Sequence, residues 1–237
     1  MSNNYFQFKQ FKIVQENCAM KITTDACILA AWTPILLNSS FVLDIGTGTG
    51  ILPLFLAQRN NFITIDGIEI DLNAAMQAKK NVYSSPWYNR IEILNGDMRT
   101  FNFSKKYDLI ITNPPFFNNC LLSTKETKNL ARHTQSFTYL NLIYAIERNL
   151  SPNGYFSILL PLPEFLIFEK TAKANSYYIF EKLCVKHREE TKINRIVALF
   201  CKTKNTNFNE TVLVIKDTQD NYTQEFIKLM QPFYLNL

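Results

Sequence analysis

The stretch VLDIGTGTG, residues 42–50, decides the reading of this 237-residue chain. Val42, Leu43 and Ile45 flank Asp44 in a short run that reads as a buried strand, and glycines follow at 46, 48 and 50. The apolar segment ILPLFLAQRN (51–60) then reads as a helix. A strand that turns through glycines into a helix lets a ligand touch the main chain and points a helix N-terminus at it. The spacing is D-x-G-x-G-x-G and not the G-x-G-x-x-G that cradles a dinucleotide pyrophosphate.

Outward from this stretch the pattern repeats. TIDGIEI (64–70) reads as a second strand, followed by the helix DLNAAMQAKKNVY (71–83) with Asp71 at its N-cap. IEILNGD (91–97), YDLIIT (107–112) and YFSILLP (155–161) are further strands, with the amphipathic helix TYLNLIYAIERNL (138–150) before the last of them. TDACILAAWTPILL (24–37) is helical from a Thr-Asp cap. After a helix near 164–175 the rhythm changes: 177–187, 195–202 and 211–216 are strand-like with no helix between them, and a last helix spans 224–233. Strands alternating with helices predict an α/β fold, doubly wound, with helices on both faces of a mostly parallel seven-stranded sheet. The C-terminal strands are expected to form an antiparallel edge. We read residues 1–237 as one domain, with 1–40 capping the binding face and 41–237 forming the core.

Composition narrows the class. Hydrophobic residues make up 47% of the chain and aromatic residues 14%, enough to bury a sizeable core. MSNNYFQFKQFK lacks the apolar centre of a signal peptide, and no run approaches the length of a membrane span, so a cytoplasmic protein is expected. The five cysteines are scattered without C-x-x-C spacing and the two histidines are unpaired, which fits free thiols and no metal. Net charge is +5, and residues 170–204 hold nine Lys or Arg against three Glu, an excess of six that suits a polyanion.

D-x-G-x-G-x-G resembles motif I of class I S-adenosylmethionine (SAM) methyltransferases, whose fold is Rossmann-like. Such a site needs a carboxylate near the ammonium of the methionine part, which assigns Asp44, with Gly46 and Gly48 beside it. Glu69 ends the second strand, where an acid accepts ribose hydroxyls. Asp97 ends the third and is placed to accept from an adenine amine, while Met98 offers its main-chain N–H to the ring. Three acids on successive strand ends belong where ligands bind in such sheets.

NPPF (113–116) ends the fourth strand, beside the first at the topological switch point. It suits methyl transfer to a planar exocyclic nitrogen, whose lone pair is delocalised into the ring. The Asn113 side-chain oxygen and the Pro114 carbonyl would accept its two N–H bonds and orient the lone pair. Pro114 and Pro115 stiffen the loop and remove competing donors, and Phe116 offers a face for the base. Catalysis of this kind is mainly positioning.

Together these motifs resemble the amino-methyltransferases that modify adenine N6, guanine N2 or protein glutamine. FKQFKIVQENCAMKITTDACILAAW (8–32) and YTQEFIKLMQPFYL (222–235) are similar to the bacterial branch acting on N6 of adenosine 37, beside the anticodon of a valine tRNA. The resemblance implies SAM as cofactor and a tRNA anticodon loop as substrate. It also implies a lid-like segment at 21–25, with Thr24 contacting the cofactor. One departure is Phe116 where many relatives carry Tyr. Lys9, Arg132, Lys186, Arg188 and Arg195 are the candidate RNA contacts; capping by Ser136 or Thr138 and an ordinary edge strand at 6–13 explain the surroundings of Arg132 and Lys9 as well.

Alternatives stay open. A glutamine amide presents the same two N–H bonds, but release-factor enzymes usually carry a helical domain ahead of motif I, and 43 residues precede Asp44 here. Adenine-N6 methylation of ribosomal RNA is another reading; a DNA enzyme would need a target-recognition domain. A non-catalytic SAM- or RNA-binding module is the reading from a different class. No metal, no membrane and a monomer are expected.

Overall fold

Residues Phe41–Ile45 form the central strand β3, buried along four of its five positions, as a parallel strand covered on both faces must be. The computed structural model describes residues 4–16, 18, 21–37, 39–115, 138–204 and 207–237. Before β3 come a short antiparallel hairpin, β1 (Tyr5–Gln7) and β2 (Lys12–Val14), and helix α1 (Thr24–Trp32). After it follow α2 (Ile51–Arg59), β4 (Thr64–Glu69), α3 (Leu72–Tyr83), β5 (Ile91–Asn95) and β6 (Tyr107–Thr112). The second half holds α4 (Tyr139–Asn149), β7 (Leu150–Pro161), α5 (Leu162–Ala174), β8 (Tyr178–Arg188), β9 (Arg195–Cys201), β10 (Asn209–Lys216) and α6 (Gln224–Met230).

The sheet has eight strands in the order β10-β8-β9-β7-β6-β3-β4-β5, one more than the sequence reading expects. The expected antiparallel edge is also corrected. β9 runs antiparallel to both β7 and β8, but the edge strand β10 pairs parallel with β8. β9 therefore sits inside the sheet as its single reversed strand. The reversal needs only the short connection from 188 to 195, and the chain leaving β9 then passes β8 to add β10 parallel to it at the edge.

Two apolar layers cover the sheet. One joins α1, α2, α3, α6 and the hairpin through Phe8, Phe11, Ile28, Leu54, Phe55 and Phe226. The other joins α4 and α5 through Leu142, Ile146, Phe165 and Phe168. Residues 6–13 are thus not a free edge strand. Phe8 is wholly buried and pairs as an isolated bridge with Tyr234, and the Lys9 N–H donates to the Phe233 carbonyl at 2.8 Å. Phe233 in turn stacks on Phe55 of α2, with ring centroids 3.9 Å apart. Asn81, buried in α3, exchanges both backbone bonds of Val14 (3.0 and 2.8 Å) and donates to the Thr49 carbonyl (2.9 Å), tying β2 to the glycine loop.

Two arginines finish the helices on this side. Arg59 donates to the Ala30 and Thr33 carbonyls at 2.6 and 2.7 Å, where α1 leaves acceptors unpaired. Arg90 does the same for α2 through Ala57, Asn60 and Ile63. Among the described residues, no helix is long and apolar enough to cross a membrane.

The topology fixes the location of the site. From β3 the chain moves outward through β4 and β5, then returns to place β6 on the other side of β3. The crevice between β3 and β6, at their carboxyl ends, is the switch point where such sheets take ligands.

Candidate active site

Asp44 is wholly buried at the end of β3. Its Oδ2 accepts from the Thr47 hydroxyl at 2.6 Å, while Oδ1 is buried with no hydrogen-bond partner among the described residues. Burial pushes the carboxyl up from 3.8 to about 7; the Thr47 bond opposes this and the Glu69 charge adds to it. A buried acceptor with nothing to accept is costly, and the site offers it to a ligand's donor or cation.

The glycine loop lies over this acid. Gly46 has φ +75, and a Cβ built on it would meet nothing within 4 Å. Backbone conformation, not crowding, therefore requires glycine there, and the space above the loop is open. The loop is held from β4: the Gly46 and Thr47 N–H groups both donate to the Ile68 carbonyl, at 2.9 and 3.1 Å. Gly67 is the reverse case. A Cβ there would stand 2.7 Å from the Thr47 hydroxyl and 2.9 Å from Ile93, so its absence makes room for the side chain that orients Asp44.

Glu69, half-buried at the end of β4, joins the two loops. Its Oε2 accepts from the Gly48 N–H at 2.9 Å and its Oε1 from the Asp71 N–H at 3.0 Å. Each oxygen keeps a lone pair on its open side. Ile70 beside it is 62% exposed, and its carbonyl, like that of Glu69, is fixed by the Asn95 side chain. An exposed isoleucine next to Glu69 is a candidate site residue the sequence reading missed. The signal for it was the apolar residue wedged between Glu69 and the capping Asp71.

Asp97 follows β5 and is fully engaged. Oδ1 accepts from the Arg99 backbone N–H (2.9 Å) and Nε (3.0 Å), and Oδ2 from Nε (2.9 Å) and Nη2 (2.5 Å). The guanidinium holds this carboxyl below its usual range. The Met98 side chain is buried, and Arg148 of α4 braces the turn by donating to the Met98 and Arg99 carbonyls at 2.7 and 2.8 Å.

On the other side of β3, Thr112 ends β6 and donates to the Ile45 carbonyl at 3.0 Å. Asn113 follows directly, half-buried, with no hydrogen bond from its side chain to any described residue. Pro114 is buried and Pro115 exposed. Phe116 and Arg132 lie outside the described residues.

The N-terminal segment reaches the same place. Burial and the nearby Glu69 and Asp71 carboxylates push the Cys18 thiol up to about 11, so residue 18 stands beside the acids of β4. Thr23, not Thr24, caps α1, accepting from the Ala26 N–H at 3.2 Å; Thr24 is the first helical residue and is exposed.

The basic candidates divide. Lys186 and Arg188 end β8, and Arg195 begins the reversed β9 opposite Pro161, so all three lie at the site's end of the sheet. Arg195 is bonded to Asp25 of α1 at 2.8 Å and Arg188 to Asp220 at 2.6 Å, while Lys186 donates to the Glu189 carbonyl at 2.9 Å. Lys9 is elsewhere: its ammonium donates to the Gln231 carbonyl, near where Gln58 at the far end of α2 meets Pro232. It faces away from the glycine loop.

The methyltransferase small domain family matches residues 27–158. The tRNA1(Val) (adenine(37)-N6)-methyltransferase of Pseudoalteromonas translucida is 39% identical over 232 residues, covering 98% of this chain and 99% of that protein. The protein of the same name from Bacteroides fragilis is 38% identical over 240 residues and covers both chains completely. Among solved structures, a predicted O-methyltransferase of Agrobacterium tumefaciens superposes with a TM-score of 0.68 at 15% identity, over 89% of this chain and 99% of that one. The SAM complex of the glycopeptide N-methyltransferase MtfA superposes with a TM-score of 0.56 at 11% identity, over 76% and 93%. These two likenesses establish the fold. The acids at successive strand ends, the matched domain and the full-length identities lead to one conclusion: this chain belongs to the methyltransferase small domain family, within the branch whose members carry the name tRNA1(Val) (adenine(37)-N6)-methyltransferase.

Proposed function

We propose that this chain transfers a methyl group from SAM to N6 of adenosine 37 in the anticodon loop of a valine tRNA. The observation that carries the reading is the placement of Asn113-Pro114-Pro115 at the end of β6, the strand paired with β3 and its buried acid Asp44. The names of relatives alike over the whole length give the substrate. A single domain working as a monomer in the cytoplasm accords with this reading.

The residues present fit SAM. The unpartnered Asp44 Oδ1 suits the ammonium of its methionine part, the open face of Gly46 and Gly48 the chain, and Glu69 the ribose hydroxyls. Ile70 offers the adenine ring an apolar face, and Asp97 and Met98 its edge. Thr24, the exposed first residue of α1, is the contact proposed from the N-terminal segment. When bound, SAM supplies an electrophilic methyl carbon on a sulfonium.

The protein's own part is orientation. The Asn113 side-chain oxygen and the Pro114 carbonyl accept the two N–H bonds of the target amine, which turns its lone pair out of conjugation. Pro114 and Pro115 carry no N–H and so cannot compete for those acceptors. Phe116 would offer its ring to the base. The amine loses its proton after the bond to carbon forms and the nitrogen is cationic, so no strong base is required. An anticodon-loop adenosine is already unpaired, which lowers the cost of presenting it. Lys186, Arg188 and Arg195 face the incoming RNA, and Arg132 and Lys9 are less direct candidates.

The test is incubation of the purified protein with radiolabelled SAM and tRNA from cells lacking the enzyme, then digestion to nucleosides. Label in N6-methyladenosine of valine tRNA is the expected result. Label only in ribosomal RNA, or only in a release factor, refutes the substrate and keeps the chemistry; bound SAM with no label anywhere refutes both.

A further inference from the structure

The outer face of α3 carries charge and aromatic surface that the site above does not use. Its sheet-facing residues, Ala74, Ala75, Ala78 and Val82, are buried. Its opposite face presents Leu72 (57% exposed), Met76 (50%), Lys79, Lys80 and Tyr83 (79%). Tyr88 (59%) follows in the next turn, its ring 6.1 Å from that of Tyr83. Lys79, Lys80, Tyr83 and Ser84 line an open depression of about 540 Å³.

The charge here is unopposed. From Leu72 to Asn89 the sequence contains no Asp or Glu. Neither lysine forms an ion pair among the described residues. The segment 170–204, where sequence alone concentrates positive charge, is different: Lys182, Arg188, Arg195 and Lys202 are each matched by a carboxylate. A helix C-terminus favours one cation in its last turn, which accounts for Lys80. It does not account for Lys79, nor for two tyrosines left largely in water on the same face.

We propose that this depression is a second RNA-binding site, in which Lys79 and Lys80 hold backbone phosphates and Tyr83, supported by Tyr88, stacks on an unpaired base. Two mobile ammonium groups beside exposed rings are what a nucleotide strand needs: point charges for the phosphates and a π-face that accepts any base. A protein partner with an acidic patch would leave the two rings unused, and an apolar one would have to desolvate both lysines. The site stands about 10–16 Å along α3 from its first residue, given a rise of about 1.5 Å per residue. That first residue follows the ribose acid Glu69 by three positions. An RNA engaging the crevice at β6 and continuing over α3 is gripped at two places. On the proposed function, on which this inference rests for the identity of the RNA, the second place takes part of the tRNA outside the target nucleotide.

The test is fluorescence anisotropy with a labelled RNA hairpin copying an anticodon arm, across a range of salt. Lys79→Gln with Lys80→Gln is expected to weaken binding and to lower the salt slope by about 1.4, at about 0.7 per single-strand phosphate contact. Tyr83→Ala is expected to weaken binding roughly tenfold while leaving the slope alone. All three positions are exposed, so folding is unaffected, and calorimetry with SAM is expected to match the parent protein. Unchanged affinity and slope in both variants, with tRNA still methylated by the parent, overturn this site and leave the proposed function standing. Hairpin binding that depends on the lysines, with no label entering tRNA, does the reverse.

Discussion

Asp44→Asn separates what the buried acid does for the fold from what it does for the ligand. In the free protein burial raises this carboxyl from 3.8 to about 7, so ionising it costs about three pKa units, roughly 4 kcal/mol. Because the folded-state value is raised, the folded protein binds the extra proton between those two values. Its stability therefore falls as pH rises from about 4 to about 7 and is lowest above that window. Asparagine keeps the acceptor for the Thr47 hydroxyl and removes the charge, but sets an N–H group where Oδ1 has no partner, a cost of about 2 kcal/mol. The variant should thus gain about 2 kcal/mol near pH 8, a rise of roughly 4–8 °C in Tm for a chain of this size, and gain nothing near pH 5. The assay is thermal unfolding by circular dichroism at both pH values, with calorimetric titration of SAM alongside. SAM affinity should fall about ten- to a hundredfold, the worth of a hydrogen bond to a charged group. A variant less stable than its parent at pH 8, with SAM affinity intact, would refute the view that Asp44 is held ionisable for a ligand.

Three further outcomes follow from the same structure. Asn113→Ala should keep SAM binding, measured by calorimetry, while single-turnover methylation falls roughly 10²-fold, the scale of one positioned transition-state contact; near-normal turnover would remove Asn113 from the mechanism. Arg99→Gln should tighten SAM, since Arg99 now fills every acceptor position on Asp97 and must yield before an adenine amine can bind there. A looser complex would show instead that Arg99 orders the turn. Arg59→Met should lower stability by roughly 3 kcal/mol in urea unfolding, because the carbonyls of Ala30 and Thr33 lose the guanidinium that donates to both at the end of α1; an unchanged midpoint would mean that water replaces it without loss.

Much of this architecture was readable in the residues, because parallel strands buried on both faces are short apolar runs and their helices are periodic. FVLDI, TIDGIE and YDLIIT each became a strand within a residue or so of the expected bounds. Asp71 and Thr138 cap the helices assigned to them, each accepting from a backbone N–H one turn on. Strand direction was not readable. Side chains alternate the same way in parallel and antiparallel strands, so nothing in NETVLVIK says that it enters beside β8 in the parallel sense. Charge pairing was also hidden. The excess in 170–204 is real, yet Arg195 meets Asp25 across 170 residues and Arg188 meets Asp220, contacts that only the fold creates. Lys9 looked like part of a basic-aromatic strand because burial of Phe8 and Phe11 cannot be told from exposure by alternation alone.

The hairpin at the start of the chain is fastened by its far end. Phe8 bridges Tyr234, the Lys9 N–H bonds Phe233, and the Gln15 side chain downstream accepts from the Ile22 N–H just before α1. During synthesis the sheet from β3 to β10 can therefore assemble while the hairpin is held through Asn81, Phe55 and Trp87 and lacks its C-terminal fastening. A ribosome must release residues 226–234 before the hairpin can complete its contacts with Phe233 and Tyr234. Until then Phe8 lacks the ring of Tyr234 on one side. Full fastening of the hairpin is thus a late event of maturation, and a nascent chain stalled before α6 would carry it tied at one end only.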